Sequence, residues 1–227
     1  MTTHEEGAGV PGAVRDAGLP ERLLHSELGP FLDLLRSRAT DEDFAIRTCC
    51  PGWSVRHVVA HCSAALNRVL EVRYGKGVFS PESNDRDIAE RAGWPVGALL
   101  DELERGYREA GAVMGAWEDG ALDGIALGEW THTGDVREAW GVDGAYGGPG
   151  ARPAVELLAR LTYVRKFPAL QAELTDLGET VRLGGEGECA RYAGDVPTLM
   201  RLFSGRPLTG TRYRLAGVKE AELVFFD

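Results

Sequence analysis

The chain has 227 residues, of which 44% are hydrophobic and 26% charged, with a net charge of −10. That length supports one large domain or two modest ones with a proper core, and an acidic balance without a basic cluster speaks against a nucleic-acid partner. No apolar run approaches the roughly 20 residues of a membrane span, and residues 1–19 lack a signal peptide's basic and apolar regions and read as a polar, Gly-rich disordered tail.

The first helical pattern runs from Pro20 to Arg38, with Leu23, Leu24, Leu28, Phe31, Leu32 and Leu35 recurring at three and four. Pro20 suits a helix start, and Gly29-Pro30 is a point of kinking or splitting. Pro51-Gly52 marks a turn. Ser54 is a candidate N-cap for a helix from Val55 to about Tyr74. Its buried side is set by Val55, Val58, Val59, His61-Cys62, Ala65, Leu66, Val69 and Leu70, which puts His61 on or beside the apolar face. Residues 75–84 read as a loop, residues 85–91 as a short helix, and Pro95 to about Trp117 as a long amphipathic helix. Ala121 to Trp140 is a further helical pattern, stopped by Gly141.

GVDGAYGGPGARP, with five glycines and two prolines, is the clearest linker. Beyond it the periodicity changes. A helix is expected from Pro153 to about Leu170. Short runs at 180–184, 188–192, 212–216 and 222–226 read as strands, with an Asp195-capped helix between the second and third. The expectation is an α+β chain: a helical bundle over 20–145, then a small mixed unit over 150–227.

Four cysteines are present: Cys49, Cys50, Cys62 and Cys189. None pairs at CxxC spacing, so neither a disulfide framework nor a thiolate zinc knuckle follows, and a reduced, cytoplasmic protein is expected. Cys62 reads as a small buried side chain.

Glu129 and His132 stand three residues apart, on one face of their helix. A second imidazole on a facing helix would complete a three-ligand site for a divalent metal, and His61 is the candidate. On spacing alone the plainer reading stands beside it: a surface acid, an exposed His132 and a packed His61. His57 lies four residues before His61, so the two could also bind as an HxxxH pair. Asp135, one turn from His132, could orient its ring.

PGWSVRHVVAH resembles the PGWSVxDxxAH segment of the mycothiol-dependent maleylpyruvate isomerase family, and GEWTHTGDVREAWG resembles that family's second motif. GDVPTLMRLFSGRP, leading into strands, is similar to the smaller α+β domain of many members. The resemblance implies a DinB-like four-helix bundle followed by a small α+β, sterol-carrier-like domain. It further implies a metal, Zn²⁺ or another divalent ion, held by His61, Glu129 and His132. No catalytic residue beyond the metal centre is implied; mycothiol is the expected co-substrate and a small electrophile the expected partner. Two departures stand out: His57 replaces the usual Asp, and the acid-to-His spacing is three where four is commoner. The implied activity is S-transfer or cis–trans isomerisation; the rivals are a metal-dependent hydrolase or lyase on the same bundle and a non-catalytic binding module.

Overall fold

The computed structural model describes residues 14–73 and 80–226. Residues 1–13 of the expected tail, and 74–79 of the expected loop and helix end, lie outside the described residues. Arg15 makes a bidentate pair with Asp123 (2.8 and 2.9 Å) and donates to the carbonyl of Met114 (3.0 Å).

The helices are α1 (Leu19–Leu28), α2 (Pro30–Ser37), α3 (Asp41–Ala45), α4 (Val55–Leu70), α5 (Pro81–Arg91), α6 (Val96–Ala116), α7 (Asp123–Ala139), α8 (Ala151–Val164) and α9 (Val196–Phe203). Gly29-Pro30 does split the first pattern, because Pro30 has no N–H to continue the ladder. Helices α1, α4, α6 and α7 close a four-helix ring, in which α6 packs on α1 and α4 and α7 covers both from the other side. Leu23, Leu66, Leu99, Leu103 and Tyr107 are fully buried at its centre.

The C-terminal part is a four-stranded sheet of order β2-β1-β3-β4, made by β1 (Leu170–Leu174), β2 (Glu179–Leu183), β3 (Ala190–Gly194) and β4 (Arg214–Ala216). β1 runs antiparallel to β2 and parallel to β3, and β3 is antiparallel to β4. The chain is thus α+β: a mostly helical N-terminal region, then a small sheet with a helix.

Three elements differ from the sequence reading, the first being α5, which begins at Pro81 inside the stretch read as a loop. The helix expected to reach Leu170 ends at Val164, because Pro168 cannot continue it and the pattern already alternates: Leu170, Ala172 and Leu174 are buried while Gln171 and Glu173 are exposed. The run at 222–226 forms no strand. Leu223 and Phe225 still turn inward, but they pack beside the end of α9, and the Phe225 N–H donates to the Phe203 carbonyl (2.6 Å). One continuous hydrophobic core takes in the ring, α8, the inner face of the sheet and α9. None of the described helices is long and apolar enough to cross a membrane.

Candidate metal centre

Helix α4 begins where Ser54, in extended conformation, leaves its N–H pointing out of the first turn. His57, at the third helical position, accepts that N–H through Nδ1 (3.1 Å), the part a Glu or Gln usually plays in a capping box. His57 is thereby engaged in starting the helix. Burial, with Arg47 and Arg56 adding to it, lowers its pKa from the ordinary histidine value.

His61 lies one turn further on, under Trp53 (ring centroids 5.0 Å) and against His132 (5.2 Å, planes at 81°). The residue is partly exposed, yet its Nδ1 is shut off from solvent and has no hydrogen-bond partner. Burial, then the charges of His132 and Arg68, push its pKa down to about 3, so the ring is neutral at physiological pH. A neutral imidazole with a bare buried nitrogen is the form that ligates a cation.

Helix α7 presents Glu129 and His132 toward α4. The Glu129 carboxyl is 2% exposed and its Oε2 has no partner. Burial raises its pKa to about 8, against a lowering contribution from the thiol of Cys62, the residue after His61. Four buried side-chain polar atoms are left unpartnered among the described residues, and two of them belong to His61 and Glu129. An unsatisfied buried donor or acceptor costs stability unless something fills it. A divalent cation is a partner that an imidazole nitrogen and a carboxylate oxygen both accept, so the donor chemistry of these residues fits the group that the two motifs imply.

The Nδ1 of His132 faces Asp135 Oδ2 at 2.8 Å. An ionised carboxylate only accepts, so Nδ1 carries the hydrogen of this bond, the arrangement of a histidine oriented by an acid. The orienting role read for Asp135 in the sequence is therefore met geometrically.

Asp135 is fully buried, and six hydrogen bonds converge on it. Oδ1 accepts from Cys49 Sγ (3.1 Å), Tyr146 Oη (2.6 Å) and Arg206 Nε (2.8 Å). Oδ2 accepts from Cys50 Sγ (3.2 Å), His132 and Arg206 Nη2 (2.8 Å). Burial alone would raise this carboxyl's pKa; the bonds and charges of His132 and Arg206 outweigh it and hold the group far below the usual carboxylate range. Tyr146 reaches the knot because residue 134 is glycine. A Cβ there would stand 2.3 Å from Tyr146 Cδ1.

Cys49, Cys50, Tyr146 and Arg206 carried no signal in the sequence. The cysteines are adjacent rather than at ligand spacing, Tyr146 sits in the glycine-rich connection just after α7, and Arg206 lies far from α7 in the chain. Among the described residues, ligand-type atoms of Cys49, Cys50 and Asp135 all lie within 4.8 Å of one another, and His61, Glu129 and His132 do not form a group that tight. The tighter cluster is nevertheless the poorer home for a cation. Both oxygens of Asp135 are already held by a guanidinium. Hydrogen bonding with Cys49, burial and the charge of Asp135 push the Cys50 thiol far up, away from thiolate. A metal there would have to displace Arg206 and strip the strongly held proton of Cys50.

Among solved structures, the crystal structure of the mycothiol-dependent maleylpyruvate isomerase superposes with a TM-score of 0.52 at 15% identity, over 91% of this chain and 96% of that one. A histidine-to-alanine mutant of that isomerase gives 0.53 at 16% identity, with the same coverage. At such identity the likeness is one of fold. No curated protein matches the chain. Residues 26–163, more than half of the length, match the family model of the mycothiol maleylpyruvate isomerase N-terminal domain, and the chain belongs to that family.

Proposed function

We propose that the chain is a metal- and mycothiol-dependent enzyme that adds a small thiol to an electrophile, as an S-transferase or as a maleylpyruvate-type cis–trans isomerase. The observation that carries the metal half of the reading is the pair of orphaned, buried atoms, His61 Nδ1 and Glu129 Oε2, beside a His132 ring whose Nδ1 is already committed to Asp135. The thiol half rests on family membership.

His61, Glu129 and His132 would hold the ion, which is zinc or another divalent metal. When bound, it supplies Lewis acidity that favours the thiolate form of an incoming thiol. The chain's own part is to hold two neutral imidazoles and one carboxylate, a donor set of single negative charge. Trp53, 5.0 Å from His61 and 6.0 Å from His132 between ring centroids, walls the two rings and limits water beside them. Asp135 keeps the His132 proton on Nδ1. No protein nucleophile is required: Cys62 is enclosed, and burial, with Glu129 beside it, raises its pKa well above the ordinary thiol value. For a cis-enoate, a carbon–sulfur bond forms, the former double bond rotates as a single bond, and the same carbon–sulfur bond breaks to release the thiol and the trans isomer. For other electrophiles the S-conjugate is the product. The four cysteines are free thiols, which suits a reducing, cytoplasmic setting.

The test is metal analysis of the purified protein, followed by turnover assays with mycothiol and a cis-enoate. His61→Ala and His132→Ala are expected to lose metal and activity together. Turnover that persists after exhaustive thiol removal would replace this reading with a hydrolase or lyase acting through metal-activated water.

A further inference from the structure

We propose that Arg206, carried by the C-terminal unit, is a positioning residue for the metal centre: through Asp135 it fixes the His132 ring so that Nε2 is the ligating nitrogen. The inference rests on reading His132 as a ligand. It adds that the ligand is set from outside the bundle.

The backbone of Arg206 is itself pinned. Helix α9 ends in a motif in which Gly205 takes φ +64° and the Arg206 N–H returns to the Arg201 carbonyl (2.8 Å). Such a helix-ending turn favours glycine at the left-handed position and fixes the direction of the next residue. The side chain then reaches Asp135 with Nε on one oxygen and Nη2 on the other, both at 2.8 Å, while Nη1 donates to the Ser204 carbonyl (3.2 Å). All three nitrogens of the guanidinium are therefore placed.

The fork defines the plane of the carboxylate as well as its charge. Its partner is fully buried, and Arg206 itself is only 17% exposed. The other donors to Asp135, Cys49, Cys50 and Tyr146, each bring one rotatable hydrogen, and none can fix a plane. Without Arg206 the carboxylate would keep only the single hydrogen bonds of Cys49, Cys50, Tyr146 and His132, and His132 would lose the fixed acceptor that selects its tautomer. The competing account is that Arg206 only staples the C-terminal unit to the bundle. It predicts a loss of stability with the centre unchanged.

The experiment uses the full chain and the variants Arg206→Ala and Arg206→Lys. Imidazole ¹⁵N spectra of the metal-free proteins report which His132 nitrogen carries the proton, and competition with a chelator reports Zn²⁺ affinity in the folded state, well below the unfolding temperature. The wild type is expected to show His132 protonated at Nδ1. Arg206→Ala should show a mixture of tautomers and bind zinc about tenfold more weakly, the low end of the roughly 10–100-fold typical for partners that orient a metal ligand. Millimolar guanidinium ion should recover part of that affinity. Arg206→Lys keeps the charge but not the fork, and should lose affinity several-fold; it carries the test if the alanine variant does not fold. A folded variant with the wild-type tautomer and wild-type zinc affinity would overturn the proposal, whatever its melting temperature. A wild type that binds no zinc would overturn the metal reading instead, and the tautomer shift would still decide whether Arg206 sets His132.

Discussion

The carboxyl of Glu129 is enclosed between α4 and α7, and its pKa near 8 stands above the 4.5 of an ordinary glutamic acid. In the metal-free protein the folded chain therefore keeps a proton that the unfolded chain has released between those two values. The stabilisation is complete below about 4.5 and is lost as pH rises through about 8. Metal binding acts the other way, because the carboxylate must be ionised to ligate. Glu129→Gln should thus flatten the fall in metal-free stability between about pH 5 and about pH 8.5, by on the order of a few kcal/mol, and weaken zinc binding at the same time. Denaturant midpoints at the two pH values measure it; parallel losses in wild type and variant would show that the carboxyl is not held in a dry place. His57→Ala is expected to behave differently. It removes a helix cap worth about 1 kcal/mol, and zinc affinity should stay within about twofold because the ring lies outside the proposed ligand set. An abrupt loss of zinc in that variant would put His57 in place of His61 as the ligand.

Along α7 the faces are divided by partner. Glu129 and His132 look toward α4, while Trp130 and Arg137 bond the buried Glu27 of α1 (3.0 and 2.5 Å). Gly134 lies where Tyr146 packs, so Gly134→Ala should force the ring off Asp135. An overpacking cost of about 1–3 kcal/mol is expected, with a visible change in tyrosine fluorescence or ring NMR shifts; an unperturbed ring would contradict the packing described. Residues near one another in the chain announced their part of this site: a Ser54 cap, an acid and an imidazole at i and i+3, an Asp one turn on. Helical spacing alone fixes those relations. Strand β1 was hidden because Leu170 and Leu174 also fit a helical spacing of four, and only Pro168 marks the break. The Asp135 knot was not legible for a different reason. Its donors come from residues 49, 50, 146 and 206, in loops whose approach is decided by tertiary packing, with no periodicity to carry the signal.

At the scale of the molecule, bundle and sheet share one core, so the C-terminal unit is a structural part of the enzyme as well as the source of Arg206. A chain cut after residue 165 would uncover the apolar face of α8 that β2 and α9 now cover. It should be poorly soluble or melt non-cooperatively, as circular dichroism would show, and a soluble fragment with a sharp transition would contradict the shared core. The central claim is the identity of the ligands, and only one of the two candidate clusters offers sulfur. X-ray absorption at the zinc edge of the loaded full-length protein separates them most directly. A site of His61, Glu129 and His132 gives only nitrogen and oxygen neighbours at about 2.0–2.2 Å, with a sulfur at about 2.3 Å appearing only after mycothiol is added. One or two sulfur neighbours in the thiol-free protein would place the ion on Cys49 and Cys50 and contradict the account.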